Sequence, residues 1–378
     1  MRIRLRRVRN RLSNLTTELN RLLKLGTHTD RSHSYFPDAD RKSKLRILAD
    51  LLVWLVRYRE VNRFYFVYGL DRKDARADRL LGYRKFRALR NRANLRPRTS
   101  VYSHKGHNYA CLTRDKFVFS QYVASLGFPT PRNLALLTAE SVRWLATGET
   151  AALDSLVAAP AAEIDGFAKP LDGVMGRSAF PLKVRQGRLF AGDEVSLEWL
   201  RSNLAGPHLW QERIIQHPSL STLYPHAINT VRIVTFNIAS EIQVFSAVLR
   251  AGTGRRFTDN WASGGIIVRV DLETGRLAGK GLFKPTFGLS TAVHPDTGVP
   301  LDGFEIPHLT RAVQLVRELH RFFYGLHSIG WDIAITEDGP IVIEGNDDWD
   351  GSLQMALEDR FRERFLEMYT PREKERVQ

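Results

Sequence analysis

The stretch Trp331–Asp350 reads WDIAITEDGPIVIEGNDDWD and holds the residues best placed for chemistry. Two apolar alternating runs, Ile333–Ile335 and Ile341–Ile343, flank Glu337-Asp338-Gly339, a three-residue loop with glycine where a left-handed conformation is wanted. With Thr336 facing Pro340, the register sets Asp332 opposite Glu344, and Asn346 shares the face of Glu344. Carboxylates opposed across a ladder repel unless a positive group sits between them. Three hard oxygen donors converging on one point suit Mg2+, which takes one or two carboxylates and leaves its other positions to water and phosphate oxygens. A hairpin with a solvated polar face is the plainer alternative. The apolar setting of Trp331, Ile333, Ile341 and Ile343 favours a buried one.

Lys169 stands in the apolar run GFAKP, ahead of the loop LDGVMGRS. Burying a lysine is costly unless an anion meets it, and Gly173 and Gly176 allow backbone N–H groups to approach a phosphate closely. The spacing is neither G-x-x-x-x-G-K-[ST] nor G-x-G-x-x-G, so P-loop and Rossmann fingerprints are absent. A surface lysine beside a turn would read the same way. Arg232 and Arg250 fall on the two strands of a long hairpin. A turn centred near Glu241, with Ala239 facing Gln243, sets the arginines opposite each other on one face. They repel unless an anion lies between them, and guanidinium groups suit a carboxylate or an acyl phosphate. Pairing of one arginine to a surface acid is the simpler reading. The single cysteine, Cys111, excludes an intramolecular disulfide and reads as a small buried residue in a reducing compartment. His104 and His107 lack the further ligands zinc needs, and no G-x-S-x-G signature occurs.

The order of these motifs resembles the ATP-grasp superfamily of carboxylate–amine ligases, whose metal-binding end is similar to the D…E-x-N arrangement of Asp332, Glu344 and Asn346. GWDIAITEDGPIVIEGN, with NTVRIVTF and DNWASGG upstream, is similar to the sugar-transfer-associated branch related to the α-L-glutamate ligases. The resemblance covers roughly Asn108 to Leu366. It implies ATP and Mg2+ (or Mn2+) as cofactors. On that footing Lys169 and the Gly173–Gly176 loop hold the nucleotide phosphates, and Lys116 in TRDKFVFSQYVASLGFPTP takes the place of a second phosphate lysine. Leu209–Ile215 resembles the hinge strand that presents backbone groups to adenine, which puts Gln211, Glu212 and Ile214 at the nucleotide. Gln216 and His217 stand where relatives often carry a ribose-binding acid, so the ribose contact is unassigned. Arg232 matches the arginine that holds the phosphorylated intermediate. Asn260, in DNWASGG, lies in a segment that reaches over the phosphates or the acceptor.

These residues must be positioned by a sheet framework. The coarse pattern gives helices over Met1–Leu25, Arg41–Arg63, Arg79–Asn94, Thr113–Leu126, Ala139–Leu145, Val195–Asn203, Ile306–Ile329 and Leu353–Met368. Strands are expected at Asn133–Leu137, Gly166–Pro170, Leu182–Val184, Leu189–Ala191, His208–Ile215, Val231–Ile238, Ile242–Ala251, Gly265–Asp271 and the metal hairpin. Sheet with flanking helices is an α+β pattern. The resemblance specifies an ATP-grasp fold, two α+β subdomains gripping ATP. It is preceded by a basic helical region over 1–107, with the catalytic region over 108–370 and a lid at about 160–215.

The 378 residues suffice for a full core, and 43% hydrophobic with 26% charged content is ordinary for a soluble protein. Charge is not evenly spread. Residues 1–110 carry 28 Lys+Arg against 9 Asp+Glu, a balance of +19, whereas the remaining 268 residues carry 28 against 32, a balance of −4. That asymmetry points to an acidic partner for the N-terminal third. Residues 1–63 suit peripheral contact with an anionic membrane. The aromatics Trp54, Tyr58, Phe64, Tyr65, Phe66 and Tyr68 fit a helical core as well as a nucleic-acid stacking platform. No apolar run approaches the length of a membrane helix, and no secretory h-region occurs in residues 1–25. The expected location is cytoplasmic, peripheral at the inner face of a membrane.

The activity implied is ATP-dependent ligation of a small-molecule carboxylate to an amine through an acyl phosphate, in a sugar or polysaccharide setting. An ATP-grasp phosphotransferase, a nucleotide-binding protein without turnover and a nucleic-acid-binding protein are the alternatives.

Overall fold

The structure of the protein, a computed structural model, describes residues 20, 35–36, 38–62, 64–95, 98–100, 103–158, 163–172, 178–284, 288–351, 354 and 360–369. The helix expected over Met1–Leu25 falls almost wholly outside them, and the loop glycines Gly173 and Gly176 fall outside them entirely. The chain divides into two units, one of residues 1–92, 282–290 and 350–378, the other of residues 93–281 and 291–349.

In the first unit the Ser43 side chain accepts the N–H of Arg46 and starts α1 (Lys44–Tyr58). Arg59, in the left-handed region, closes the helix by donating its N–H to Leu55 O at 2.8 Å. The helix carries two apolar stripes and buries one of them. Ile47, Leu51 and Trp54 face the core, while Leu45, Leu48, Leu52 and Val56 are exposed. Both stripes have helical spacing, and the buried one carries the tryptophan, whose apolar area is largest. Tyr65 and Phe66 are buried with Trp54, so these rings are core residues and not a platform for bases.

In the second unit Asp115 splits the helix expected over Thr113–Leu126. Its extended backbone ends α2 (Cys111–Arg114), and its carboxylate accepts the N–H groups of Phe117 and Val118, each at 2.9 Å, to start α3 (Lys116–Ser125). Lys116 thereby becomes the first residue of a helix. A ribbon of β1 (Arg98–Ser100) and β2 (Ser103–His107) precedes this pair.

Eight strands follow in the first sheet: β3 (Asn133–Leu137), β4 (Ser141–Trp144), β5 (Thr150–Ala152), β6 (Glu163–Pro170), β7 (Phe180–Arg185), β8 (Arg188–Ala191), β9 (Asp193–Val195) and β10 (His208–Glu212). Their order is β5-β4-β3-β10-β6-β7-β8-β9. Ala139–Leu145, expected as a helix, is the strand β4. Thr138 Oγ1 accepts the N–H of Ser141 at 3.1 Å and turns the chain back, so that Val142 alternates inward opposite Leu137. β10 lies against β6 because residue 166 is glycine. A Cβ there would come within 2.4 Å of both Gln211 O and Trp210 Nε1.

The second sheet comprises β11 (Val231–Ile238), β12 (Glu241–Ala251), β13 (Ile266–Val270), β14 (Leu277–Phe283), β15 (Ser290–Thr291), β16 (Ser328–Ile335) and β17 (Pro340–Asn346), in the order β15-β14-β13-β12-β11-β16-β17. Every residue of β16 is buried. The helix expected over Ile306–Ile329 spans only α4 (Leu309–Phe322), which turns Ala312, Val316 and Leu319 inward. It stops because the chain turns tightly at Gly325, where a Cβ would lie 1.9 Å from the Tyr109 ring, and Ser328 then enters β16. Among the described residues no helix is long and apolar enough to cross a membrane.

Candidate functional site

The β16–β17 hairpin does set Asp332 opposite Glu344, but by another route than a three-residue loop. Thr336 and Gly339 exchange backbone hydrogen bonds of 2.9 and 3.2 Å, leaving Glu337-Asp338 as the loop. Gly339 has φ 134°, a conformation that demands glycine. This tighter turn pairs Ile335 with Pro340 and Ile333 with Val342. A bulge at Ile343 supplies the missing residue and restores Asp332 to Glu344. Val342 is therefore buried, while Ile341 and Ile343 are only half-buried, contrary to the simple alternation. Asn346 pairs with Gly330, and its Nδ2 donates to Glu344 Oε1 and Gly330 O, both at 3.3 Å. The amide oxygen is then the donor a cation would take.

Arg232 and Arg250 are not directly opposed. Arg232 faces Val248, and Arg250 sits further along, opposite Thr230, with its N–H 2.9 Å from Thr230 O. They are diagonal neighbours on one face, and the anion between them is Asp332. Arg232 Nη2 donates to Asp332 Oδ2 at 2.8 Å and its Nε donates to Oδ1. Arg250 Nη2 lies 3.1 Å from the same Oδ2. Gly330 makes room for this pairing, since a Cβ there would meet Trp349 at 2.7 Å and the Arg232 side chain at 3.3 Å.

Arg250 is also held from the other side. Its Nε donates to Thr230 Oγ1 at 3.0 Å and its Nη2 to Asp259 Oδ1 at 3.3 Å. Asp259 Oδ2 accepts from the N–H of Thr230 at 3.0 Å and from the Thr230 hydroxyl. Asp259 is buried, which pushes its carboxyl up while Arg250 pulls it down; the net direction is upward. Its neighbour Asn260 has a local task instead. The Asn260 side-chain oxygen caps a short 3-10 turn by accepting the N–H of Ala262 at 2.9 Å.

Asp332 is 1% exposed. Burial alone would raise its carboxyl, but the charges of Arg232 and Arg250 outweigh that and hold it well below the usual carboxylate range. Glu344 goes the other way: burial first, then the charge of Asp332, push it up. Lys169 in β6 is 7% exposed, and burial brings its ammonium down to about 8; Glu344 acts against that shift and Lys116 with it. Lys116, Lys169 and Glu344 thus all feel one another's charge. Lys116 is further tied to the strand exit, its N–H donating to Leu171 O at 2.9 Å.

The side chains of the hinge strand have structural partners. The Gln211 amide is turned inward, donating to Asn133 Oδ1 at 2.8 Å and Pro131 O at 3.3 Å. Glu212 accepts the N–H of Arg132 at 2.9 Å. Ile214 lies half-buried just past the strand. Gln216 is a buried lock, donating to Tyr224 O and Ala227 O at 2.8 and 3.0 Å, and His217 caps the helix Pro218–Leu223. Neither offers itself to a ribose. Cys111 is exposed, not buried.

Sequence reasoning missed Thr230, Asp259 and Asp347. The Asp347 carboxylate accepts from Thr113 Oγ1 at 3.0 Å and from Arg114 Nη2 at 3.0 Å, fastening α2 to the end of β17. Among the described residues no group of three or more His, Cys, Asp or Glu side chains could hold a metal ion. The donor set here is smaller, two carboxylates and an amide oxygen. Those hard oxygens, with an ammonium pair close by, suit a cation that keeps most of its ligands from water and phosphate.

A family model described as sugar-transfer associated ATP-grasp matches residues 101–368. Among solved structures, the L-amino acid ligase from Bacillus licheniformis is 14% identical, with a TM-score of 0.35 over 66% of this chain and 44% of that one. The N5-carboxyaminoimidazole ribonucleotide synthetase from Thermotoga maritima is 12% identical, with a TM-score of 0.33 over 63% and 43%. D-alanyl-alanine synthetase A from Vibrio cholerae is 10% identical, with a TM-score of 0.39 over 70% and 66%. The chain spans less than half the length of the first two. No curated protein matches it.

Proposed function

The chain belongs to the sugar-transfer-associated ATP-grasp family, and from that premise we propose that it is an ATP- and Mg2+-dependent carboxylate–amine ligase. Members of the superfamily use ATP with Mg2+ or Mn2+. The observation that carries the proposal is the convergence of Lys116 and Lys169 on Glu344, beside an Asp332 fixed by two arginines.

Glu344, the amide oxygen of Asn346 and Asp332 would hold the metal, which supplies charge neutralisation at the phosphates. Lys116 and Lys169 bring ammonium groups to the phosphate oxygens, and burial of Lys169 keeps water from screening it. The backbone of Gln211–Ile214 receives the adenine. A carboxylate oxygen of the substrate attacks the γ-phosphorus, the bond to the ADP oxygen breaks, and an acyl phosphate forms. The amine nitrogen then attacks the acyl carbon, the C–O bond to phosphate breaks, and the amine loses a proton. Arg232 and Arg250 border this centre and offset the charge that develops on the acyl phosphate. Asn260 stands on the segment that reaches toward the acceptor.

In this reading residues 108–370 are the catalytic region, with a lid at about 160–215, and residues 1–107 an appended basic region. The family description motivates a sugar-linked carboxylate or amine. Residues 1–63 would give peripheral contact with an anionic membrane from the cytoplasmic side. Incubation with ATP, Mg2+ and pooled amino acids and sugar acids tests the activity. ADP, phosphate and a product with a new C–N bond are expected; a phosphorylated acceptor without that bond, or AMP with pyrophosphate, would overturn it.

A further inference from the structure

Helix α1 is apolar on two opposite sides, and among the described residues only one of them is packed against the rest of its unit. Ile47, Leu51 and Trp54 are 1%, 0% and 6% exposed, whereas Leu45, Val53 and Val56 are 80%, 65% and 82% exposed, with Leu48 and Leu52 at 40% and 43%. The exposed set recurs at i, i+3, i+7, i+8 and i+11, one continuous stripe down the outer face. Lone exposed apolar residues need no account, but a contiguous stripe does. Its borders are basic. Lys44, Arg46, Arg57 and the capping Arg59 are all exposed. The one acid of the helix, Asp50, is half-buried, with Oδ2 2.7 Å from Lys42 Nζ and 3.0 Å from the Tyr65 hydroxyl, while its Oδ1 lies 3.3 Å from the Nε of the exposed Arg46.

We propose that this outer face of α1 docks on an anionic lipid surface, Leu45, Leu48, Leu52, Val53 and Val56 entering the acyl boundary while Lys44, Arg46, Arg57 and Arg59 meet lipid phosphates. An apolar stripe flanked by cations, with its single acid half-buried, is the arrangement an interfacial helix requires. The chain's own residues 1–25 are apolar enough to cover the stripe, but they carry 8 Lys+Arg against 1 acid. Laying them along α1 would set cation against cation, whereas an anionic bilayer satisfies both. The inference sharpens the reading that residues 1–63 contact a membrane, by naming the face that does so.

The test is co-sedimentation of the full chain with vesicles of phosphatidylcholine alone and with roughly a third phosphatidylglycerol, at low and high salt. Binding should need the anionic lipid, fall with salt, and drop at least tenfold in Leu45→Asp/Val56→Asp, with Leu272→Asp unchanged. Both substituted residues are largely exposed, so the fold is not at stake, and circular dichroism with retained ATP binding verifies this. Anionic-lipid binding untouched by the double substitution would overturn the face while leaving the broader membrane reading intact. Absence of wild-type binding to anionic vesicles at low salt would overturn both. A dimer in sedimentation velocity that the double substitution dissociates would assign the stripe to a second copy and overturn the lipid.

Discussion

Arg232 and Asp332, on adjacent strands, form a two-point pair in which guanidinium and carboxylate share a plane of contact, with Nη2 2.8 Å from Oδ2. The residue expected to bind an anionic intermediate and the residue expected to bind a cation are thus already joined. The two arginines hold the Asp332 carboxyl well below the usual range, while burial and the Asp332 charge push Glu344 up. Arg232→Lys removes the fork and should lower stability by about 1–3 kcal/mol; Arg232→Met leaves a buried carboxylate with Arg250 alone and should cost about 3–5 kcal/mol. Urea denaturation of the two variants measures the difference.

Glu344→Gln tests the division of labour between the carboxyls. Because burial and the Asp332 charge both push the Glu344 carboxyl up, a neutral amide should replace it with little change, within about 1 kcal/mol of wild type in urea. Cation binding should nevertheless be lost. Titration with Mn2+ followed by electron paramagnetic resonance should show at least a tenfold weaker site, and an unaltered Mn2+ affinity would remove Glu344 from the donor set.

If Lys169 meets the nucleotide phosphates as proposed, nucleotide binding should have an alkaline limit. Its ammonium is brought down to about 8 by burial. The folded value lies below the unfolded one, so the charged form is disfavoured in the free protein and stability rises with pH from about 8 toward 10.5. A phosphate favours the charged form, so ADP affinity should fall by one proton's worth per pH unit above about 8. Calorimetric titration between pH 7 and 9.5 measures this slope. Lys169→Ala should weaken ADP binding roughly 10–100-fold and flatten the profile, while Lys183→Ala, a lid lysine paired with Glu163, should do neither.

His320 predicts an acid weakness of the second sheet. Its Nε2–H donates to Leu326 O at 3.2 Å, so Nδ1 accepts the Thr235 hydroxyl at 2.6 Å, and Thr235 Oγ1 in turn accepts Trp331 Nε1–H at 2.7 Å. Burial lowers the imidazole to about 4. Stability is complete above pH 6.5 and is lost as pH falls toward 4, by about 3 kcal/mol. Urea curves at pH 7 and 4.5 should show that loss in the wild type and a smaller one in His320→Gln.

The same two sites show how far the sequence could be read. Asp332 opposite Glu344 was legible because hairpin pairing is local, even though the tight turn and the bulge at Ile343 are two departures that cancel. Arg232 against Arg250 was not, because the hairpin turns tightly at Ala239-Ser240, a shift that the bulge after Val234 only partly restores, and because the anion between them comes from β16, far along the chain. Asp259 was missed in favour of Asn260 for a related reason: no spacing rule says which residue of a loop folds back onto a sheet. In α1, two apolar stripes shared one helix, and periodicity alone does not rank them; the tryptophan does. Val142 shows the converse, four residues whose alternation outweighed a helical composition.

The central claim is that a substrate carboxylate is activated by phosphoryl transfer before the amine attacks. Pooled amino acids and sugar acids labelled with 18O in their carboxyl groups, incubated with ATP and Mg2+, give the most direct reading by mass spectrometry of the released phosphate. The account predicts one 18O atom carried into phosphate for each C–N bond formed. Release of unlabelled phosphate alongside a phosphorylated acceptor would contradict it.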